Sequence, residues 1–401
     1  MKHKSIQNAY MWFYPLSVLA YLLTPLSEMV RPGLILTGML LALLIIMAGS
    51  ARIACHKTED IVFCVFFAYS LLSGIWTTAY GIPVSVYLGE VSTTVLPMIF
   101  YLSGRKAEKE DILAFYRIFL FSMAVLAAVS LLLYIFVPQF YIDFLVRASL
   151  ISKGDAATAR VRMESVVGST LFGTMMAYAA GSSIYFIERD SKKSRIFGAA
   201  SFFLFLIMAF FSSQRAAMVV ALFMLLLLNF IVFFRCRILP AKLFMAECGA
   251  LLLGLIALAL AGRDAFLKVY YRLRSLPLAV GERSEQWVGA VNNMKNMWLG
   301  DGLGSHGHRA AGYAEHVVAD GGLVKLYCEA GIIGTSFFIF FMLLILRKGY
   351  RNLERTGAEM AVITGALLLS IGSNVLTFEL AVPIVFFAAG RAVSVNTGEA
   401  P

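Results

Sequence analysis

The residues best suited to chemistry lie mainly in one polar stretch, residues 262–320, of an otherwise hydrophobic chain. Near its end, Asp320 or His316 could accept a proton from a hydroxyl group. Arg283 could bind phosphate, because the planar guanidinium group matches two phosphate oxygens at once. Arg215 stands at the start of a hydrophobic run, where a helix N-terminus also favours anions. These four residues form the predicted catalytic set.

Additional arginines are predicted to bind an anionic substrate. Arg162, Arg272, Arg274 and Arg309 lie in the two longest polar segments of the chain. Arginine forms strong paired hydrogen bonds with phosphate oxygens. The alternative interpretation is ordinary solvated charge, or contact with anionic lipid headgroups.

Each catalytic candidate also has a simpler structural interpretation. Asp320 could cap the helix that follows it, and His316 could be a histidine of a surface loop. Arg283 could lie on a solvated helix face. Arg215 could anchor its helix at the membrane interface.

Metal, cofactor and nucleotide chemistry have little support in the sequence. Asp301, His306 and His308 are close together but lack tight ligand spacing. The five cysteines form no spaced set that would indicate a disulfide framework or a metal site. The run Gly300–Gly304 superficially resembles a nucleotide-binding glycine signature, but no strand precedes it. We therefore predict no metal, no cofactor and no nucleic-acid partner.

Membrane-spanning helices must position these residues. The mean hydropathy is +0.80, with 60% hydrophobic and 14% charged residues, far from the average of soluble proteins. A span needs about 20 apolar residues. We predict an all-α polytopic protein in contact with the lipid bilayer, with about 12 spans and a single domain over residues 1–401. The hydrophobic windows are residues 12–26, 33–49, 60–79, 83–102, 112–138, 165–187, 196–212, 216–234, 243–261, 321–346, 360–378 and 380–395.

Lysine and arginine predict the orientation of these spans. With the N-terminus in the cytoplasm, 19 of these residues fall in inner segments, and the short outer turns carry only Arg31 and Arg215. Short cytoplasmic loops are enriched in such residues. Both termini are therefore predicted to be cytoplasmic. Residues 262–320, between the ninth and tenth spans, form a large and partly helical external loop that contributes to an active-site cleft.

The polar stretch is predicted to contain its own helix. Over residues 283–297, the spacing places Arg283, Trp287, Val291 and Met294 near one face. The glycines that follow would end this helix, because glycine tolerates positive φ angles.

A second helix is considered at the end of the polar stretch. If residues 314–326 are helical, His316 and Asp320 lie one turn apart and could pair. Lys325 and Glu329 have the same spacing inside a predicted span. Mutual neutralisation is the interpretation we favour for them, because charges within a membrane are usually paired.

Several features recur in the order typical of one known family. An arginine precedes a run of small residues, a turn reads Ser-Ser-Gln-Arg, an Arg and a Trp precede Gly-x-Gly, and an Asp precedes Leu, Glu and Gly-x-x-Gly. These residues are Arg162, Gly168–Gly173, Ser212–Arg215, Arg283, Trp287, Gly300, Gly302, Gly304, Asp320–Leu323, Glu329, Gly331 and Gly334. The second half of the chain therefore resembles the O-antigen polymerase and ligase family of bacterial surface-polysaccharide synthesis.

The resemblance implies a glycosyltransferase of the bacterial inner membrane. Such an enzyme moves a glycan from polyprenyl pyrophosphate to a sugar hydroxyl on another carrier-linked unit. Besides the lipid-linked oligosaccharide, a chain-length regulator protein is an implied partner. The resemblance adds Trp287, Gly302 and Gly304 to the substrate-binding residues. Asp320 stands where the ligases usually carry His, which favours a polymerase over an O-antigen ligase that transfers glycan to lipid A-core.

A transporter or polysaccharide flippase is the main alternative of another class. Its site would be charged and lie near the middle of the membrane, around Glu90 of the fourth predicted span, for which the sequence offers no evident partner. The polar stretch would then be incidental to function.

Overall fold

Helices account for nearly all of the regular structure in the computed structural model. The structure describes residues 9–50, 57–151, 163–189, 191–234, 245, 248–249, 252 and 276–395. The protein is 79% helical, and no strand occurs in these ranges. The predicted all-α class is therefore confirmed.

We number the described α-helices in chain order. They are α1 (Phe13–Leu23), α2 (Pro32–Ser50), α3 (Thr58–Leu72), α4 (Gly74–Ala79), α5 (Val84–Glu90), α6 (Phe100–Lys106), α7 (Lys109–Phe136), α8 (Gln139–Arg147), α9 (Ser169–Ile187), α10 (Lys192–Phe211), α11 (Arg215–Phe234), α12 (Leu276–Asn292), α13 (Gly322–Arg351), α14 (Leu353–Gly372) and α15 (Ala381–Ser394).

Five helical segments are long and apolar enough to cross a membrane, which indicates a membrane protein. They are Thr58–Ala79, Val84–Lys106, Lys109–Phe136, Lys192–Phe211 and Gly322–Arg351. Shorter apolar helices are Ala9–Leu23, Pro32–Met47, Arg215–Ile231 and Ala381–Ser394. Every predicted hydrophobic window except the ninth overlaps a described helix. The ninth, residues 243–261, lies almost entirely outside the described residues.

The chain divides into two compact units. Unit 1 consists of Met1–Phe13, Gly33–Ile112 and Val280–Pro401, and unit 2 consists of Tyr14–Pro32 and Leu113–Ala279. Unit 1 therefore contains Arg283, His316 and Asp320, and unit 2 contains Arg215.

Aromatic side chains form much of the core of unit 1. Phe63 of α3 stacks on Tyr101 of α6 with ring centroids 4.4 Å apart. Phe341 of α13 and Phe386 of α15 are also stacked, at 6.2 Å. All four side chains are buried. Contacts between large buried rings contribute strongly to packing, so this core fixes the four helices relative to one another.

The helical run Val84–Lys106 changes its geometry midway. After α5 ends at Glu90, a π-helical turn, Val91–Val95, and a 3-10 turn, Leu96–Ile99, precede α6. Pro97 contributes to the change, because proline has no amide hydrogen with which to continue an α-helical ladder. The interruption leaves Glu90, which is 3% exposed, at the end of a helical segment inside the unit.

Helix α13 is kinked at Gly331, whose φ of 62° and ψ of −168° are not helical. Glycine adopts such a φ at little cost. The amides of Ile332 and Ile333 donate to carbonyls outside the helix, those of Met297 at 2.9 Å and Trp298 at 3.1 Å. A distant loop thus completes the hydrogen bonding of a helix that is long enough to cross a membrane.

Unit 2 positions Arg215 at the first residue of α11, as predicted. In this unit α9 is buried along nearly its whole length. It packs closely against α10 at Gly198, where an added Cβ would lie 2.8 Å from the amide nitrogen of Ile187. Gly173 of α9 leaves room for the turn that precedes α11, since a Cβ there would lie 2.9 Å from Gln214 Oε1.

Candidate functional site

Arg283 and Asp320 form an ion pair at the centre of the candidate site. Arg283 lies on α12, and its NH2 atom is 2.7 Å from Asp320 Oδ2. The two side chains are 30% and 40% exposed, so the pair remains accessible to a ligand. A predicted phosphate-binding group and a predicted proton acceptor are therefore joined by one hydrogen bond.

Trp287 holds the backbone of Asp320 from the same helix. Its indole Nε1 donates to the Asp320 carbonyl at 2.5 Å. The ring also lies against Gly321, where an added Cβ would be 2.8 Å from Trp287 Cε2. Glycine is required at this position for a second reason, because its φ is 126°. The indole thus contacts both the carbonyl of Asp320 and the Cα of Gly321, and it holds the peptide bond between them in place.

The predicted face of α12 is confirmed in its packing, although the helix is shorter at its C-terminus than expected. Trp287, Val291 and Met294 pack against one buried cluster that includes Cys328 of α13. The helix ends at Asn292, whereas the spacing predicted that it would continue to residue 297. Packing on a single face still directs α12 towards α13.

Residues 314–321 are not helical, so the helix considered over residues 314–326 forms only from Gly322 onward. The helix α13 begins at Gly322, and the position before it is occupied by Gly321. The positive φ of Gly321 places the preceding chain outside a helical path. Asp320 is therefore not the helix cap, and its carboxylate binds Arg283 instead.

His316 lies beside α12 and shares no helical face with Asp320. A Cβ added to Gly289 would lie 3.5 Å from His316 Nδ1, so the imidazole packs against the helix at this glycine. The side chain of His316 is partly buried. The condition under which the two predicted proton acceptors would pair, a helix through both, is not met.

Side chains from other parts of unit 1 hold the carbonyls of residues 316–320. His306 Nδ1 lies 3.0 Å from the first carbonyl of this segment. Asn374 Nδ2 lies 2.9 Å from the carbonyls of both Val318 and Ala319. A carbonyl oxygen only accepts hydrogen bonds, so each of these nitrogens acts as the donor. The segment that carries Asp320 is therefore held along its length.

The glycine turn, residues 300–304, packs against the helices that precede Glu90. The φ angles of Gly302 and Gly304 are 90° and 86°. An added Cβ would lie 2.8 Å from the Ser73 carbonyl at Gly302 and 3.2 Å from Glu90 Cβ at Gly304. Both glycines thus allow close approach of the turn to its neighbours. Their predicted contact with substrate stays a prediction.

His306 and Asp301 form a buried pair next to this turn. His306 Nε2 lies 2.9 Å from Asp301 Oδ2, and each residue is 5% exposed. The other carboxylate oxygen accepts a hydrogen bond from the amide of Lys295 at 2.8 Å. His308 is exposed. Within the described ranges, no group of three or more His, Cys, Asp or Glu residues is arranged to hold a metal ion.

A buried ion network lies beside the glycine turn. Lys325 of α13 forms an ion pair with Glu90 and a second one with Glu329, at 3.5 Å. Arg309 approaches Glu90 from the polar stretch, with NH1 3.3 Å from Oε2. It also donates to the Gly89 carbonyl at 3.1 Å. The predicted Lys325–Glu329 pair is confirmed, and Glu90 has two cationic partners.

A small cavity borders this network. Its volume is ≈ 40 Å³, and its lining combines Lys325 and Glu329 with the hydroxyl-bearing Ser73 and Thr94. Apolar side chains such as Phe66 form much of the remaining wall. A water molecule occupies about 30 Å³ in the liquid, so the space is sufficient for ordered water next to the buried charges.

The remaining predicted residues lie elsewhere in the chain. Arg215 belongs to unit 2, where its side chain is partly buried at the start of α11. Arg309 contacts the ion network. The predicted substrate-binding residues Arg162, Arg272 and Arg274 lie outside the described residues.

Two features of the site were not predicted from the sequence. Asn374 was missed because a lone asparagine between two hydrophobic helices has no distinguishing pattern. The Glu90–Lys325 pair was missed because its residues are 235 positions apart. A signal existed in the second case, since a charged residue in a hydrophobic run needs a partner.

No protein-family model matches the chain, and no curated protein is significantly similar to it.

Proposed function

We propose that this protein is a membrane glycosyltransferase that polymerises lipid-linked polysaccharide repeat units. It transfers a glycan from polyprenyl pyrophosphate to a sugar hydroxyl on another lipid-linked unit. The observation that carries this proposal is the accessible Arg283–Asp320 pair. It joins a group suited to binding phosphate to a group suited to accepting a proton, and glycosyl transfer from a pyrophosphate donor needs both.

The proposed reaction balances with these two groups. The acceptor hydroxyl attacks the anomeric carbon of the donor glycan, and Asp320 takes the hydroxyl proton. The bond between that carbon and the pyrophosphate oxygen breaks, and its electron pair leaves with polyprenyl pyrophosphate. Arg283 stabilises the negative charge that develops on the leaving group. Because the guanidinium group is held in advance by the carboxylate, little reorganisation is needed.

Arg215 of unit 2 is proposed to bind a pyrophosphate group. It is the first residue of α11, where the helix dipole favours an anion. A lipid-linked pyrophosphate would lie at the membrane border, which is where a helix of this kind would begin.

The proposed topology has about 12 spans, cytoplasmic termini and an external polar stretch over residues 262–320. The overlap of described helices with the predicted windows supports the number of spans, and the distribution of 19 inner lysines and arginines supports the orientation. In a bacterial inner membrane, this arrangement directs Asp320 towards the periplasm.

The decisive experiment is chain extension by the purified protein in liposomes. Polyprenyl-pyrophosphate-linked oligosaccharide is supplied without nucleotide, and product length is followed by gel electrophoresis. We expect longer lipid-linked chains, and insensitivity to a chelator. Unchanged oligosaccharide would argue against the proposal, whereas inhibition that added metal reverses would indicate a metal-dependent reaction.

Arginine variants test the role assigned to the ion pair. Arg283→Ala should abolish extension, and Arg283→Lys should restore it only in part because lysine lacks the bidentate fork. Arg215→Ala should also abolish it. Arg351→Ala is the matched control, since Arg351 is exposed at the end of α13. Full activity in both the Arg283→Ala and Arg215→Ala variants would contradict the proposed binding of pyrophosphate by these arginines.

Transport of a solute is a second candidate function, favoured by the buried network of Lys325, Glu90 and Glu329. Charged residues inside membrane spans often mark transport pathways. Proton flux into liposomes, followed with a pH-sensitive dye, separates the two functions. Flux that is lost in Glu90→Gln, without chain extension by the wild-type protein, would favour transport.

A further inference from the structure

We infer that Asn374 is a positioning residue: it fixes residues 316–320 so that the Asp320 carboxylate faces Arg283. The inference rests on the proposed function, and it adds a residue that the sequence did not predict. Asn374 lies between α14 and α15, and its side chain is buried. It does not contact the reacting groups in this arrangement but acts through the backbone that carries one of them.

The hydrogen bonds of Asn374 determine the orientation of its amide. The nitrogen Nδ2 lies 2.9 Å from the carbonyls of Val318 and Ala319. Two neighbouring acceptors require a donor with two hydrogens, which the amide nitrogen supplies and the amide oxygen cannot. Both N–H groups of the side chain are therefore used on the two peptide units immediately before Asp320.

The same turn also holds the chain after Asp320. The amide of Gly322 donates to the Ser373 carbonyl at 3.2 Å. The turn at residues 373–374 therefore grips the chain on both sides of Asp320, before it through the Asn374 side chain and after it through the Ser373 backbone. The backbone of Asp320 is thus held in place, and it sets the position from which the carboxylate reaches Arg283.

The amide oxygen of Asn374 has no hydrogen-bond partner among the described residues, although it is buried. A buried acceptor without a partner is unfavourable for the folded state. Asparagine at this position is thus poorly explained by stability alone, and well explained by the two carbonyls that its nitrogen holds.

Two variants and one control test this inference. Asn374→Ala removes both donors. Asn374→Asp keeps the shape but replaces the donors with acceptors that face two carbonyl oxygens. Asn352→Ala is the matched control, because Asn352 Nδ2 also donates to a backbone carbonyl, that of Lys348 at 3.1 Å, at the far end of α13.

Two measurements are made on each protein: amide hydrogen exchange of a peptide covering residues 316–322, and the steady-state kinetics of chain extension. We expect faster exchange and a kcat lowered about 10–100-fold in both Asn374 variants, since a small displacement of a reacting group can cost about 100-fold in rate. KM should change less than about twofold, because ground-state binding is not removed. Asn352→Ala should match the wild type in both measurements.

The outcomes separate this inference from the proposed function. Unchanged exchange in both Asn374 variants would overturn the inference, and so would faster exchange with unchanged kcat. If the wild-type protein extends no chains, the proposed polymerase activity is wrong. The exchange measurement still decides whether Asn374 holds residues 316–320. A general loss of folding is recognised by faster exchange throughout unit 1. Asn374→Ala is the milder variant, so a comparison with Asn374→Asp separates a local effect on residues 316–322 from a general one.

Discussion

Lys325 Nζ lies 3.5 Å from Glu329 Oε1, one turn later on α13, and both side chains are almost completely buried. The partner that completes this pair, Glu90, comes from the end of α5. Two buried carboxylates thus share one ammonium group inside helices that are apolar enough to cross a membrane. The arrangement makes Lys325 the residue on which the network depends, because its loss leaves two like charges close together.

Replacing Lys325 with Met should therefore destabilise the protein strongly. We expect a loss of about 3–5 kcal/mol, the range found when one partner of a buried pair is removed. Unfolding in detergent, followed by circular dichroism, measures the change. Combining Lys325→Met with Glu90→Gln should recover part of the loss, because only one of the two buried carboxylates then remains charged.

Lys348 on the same helix provides a comparison. Its Nζ lies 2.5 Å from Glu59 Oε1, but its side chain is 40% exposed. Lys348→Met should cost less, because solvent screens an exposed partner. Equal destabilisation by the two lysine variants would show that burial of the Lys325 network adds nothing.

Substitution of Gly302 tests the close packing of the glycine turn. Gly302→Ala introduces a Cβ that would lie 2.8 Å from the Ser73 carbonyl, in addition to backbone strain from a φ of 90°. Gly312 has a nearly identical φ of 91° but no atom within 4 Å of an added Cβ. Gly312→Ala therefore carries the strain without the collision.

Both alanine variants should lower the melting temperature, Gly312→Ala by the equivalent of about 1 kcal/mol. Gly302→Ala should lose a further 1–3 kcal/mol or so from overpacking. If the two variants melt at the same temperature, the turn does not depend on its contact with Ser73, between α3 and α4.

The proton acceptor is tested by comparing Asp320→Asn with His316→Ala. The first keeps the size of the side chain and removes most of its basicity. If Asp320 is the base, chain extension should slow by about 10²–10⁴-fold, and His316→Ala should slow it less. The opposite order would assign the role to His316. Near-normal rates in both variants would leave leaving-group stabilisation by arginine as the main source of catalysis.

Membrane orientation is tested by labelling with a thiol reagent that does not cross the membrane. Tyr313 in the polar stretch and Tyr350 at the end of α13 are 62% and 45% exposed. In spheroplasts, whose inner membrane is intact, Tyr313→Cys should be labelled and Tyr350→Cys should not. The wild-type protein measures the background labelling of the native cysteines. Labelling of Tyr350→Cys alone would indicate the opposite topology and contradict an external active site.

The sequence predicted those features that depend on local pattern. Hydrophobic runs determine where helices form, so the windows and described helices overlap. The spacing of Trp287 and Val291 identified the face of α12 that packs against the cluster containing Cys328, because this face repeats with the helical period. The same reasoning paired Lys325 with Glu329, since residues four apart on a helix are neighbours.

Features that depend on distant contacts were beyond the reach of such patterns. A helix through His316 and Asp320 was considered for the chain before α13, but Gly321 has a positive φ and lies against the Trp287 indole. Asn374 became part of the site only through its contact with Val318 and Ala319. The spacing of residues along the chain does not predict these contacts between distant residues.

The kink at Gly331 has a consequence for biosynthesis. The amides of Ile332 and Ile333 need the carbonyls of Met297 and Trp298 as acceptors, and an unbonded amide is strongly unfavourable in hydrocarbon. A ribosome makes the acceptors first, so they are already present when the donors emerge. Residues around 297–298 should therefore tolerate insertions less well than other loop residues. An insertion there would displace the acceptors and impair the insertion of α13 into the bilayer.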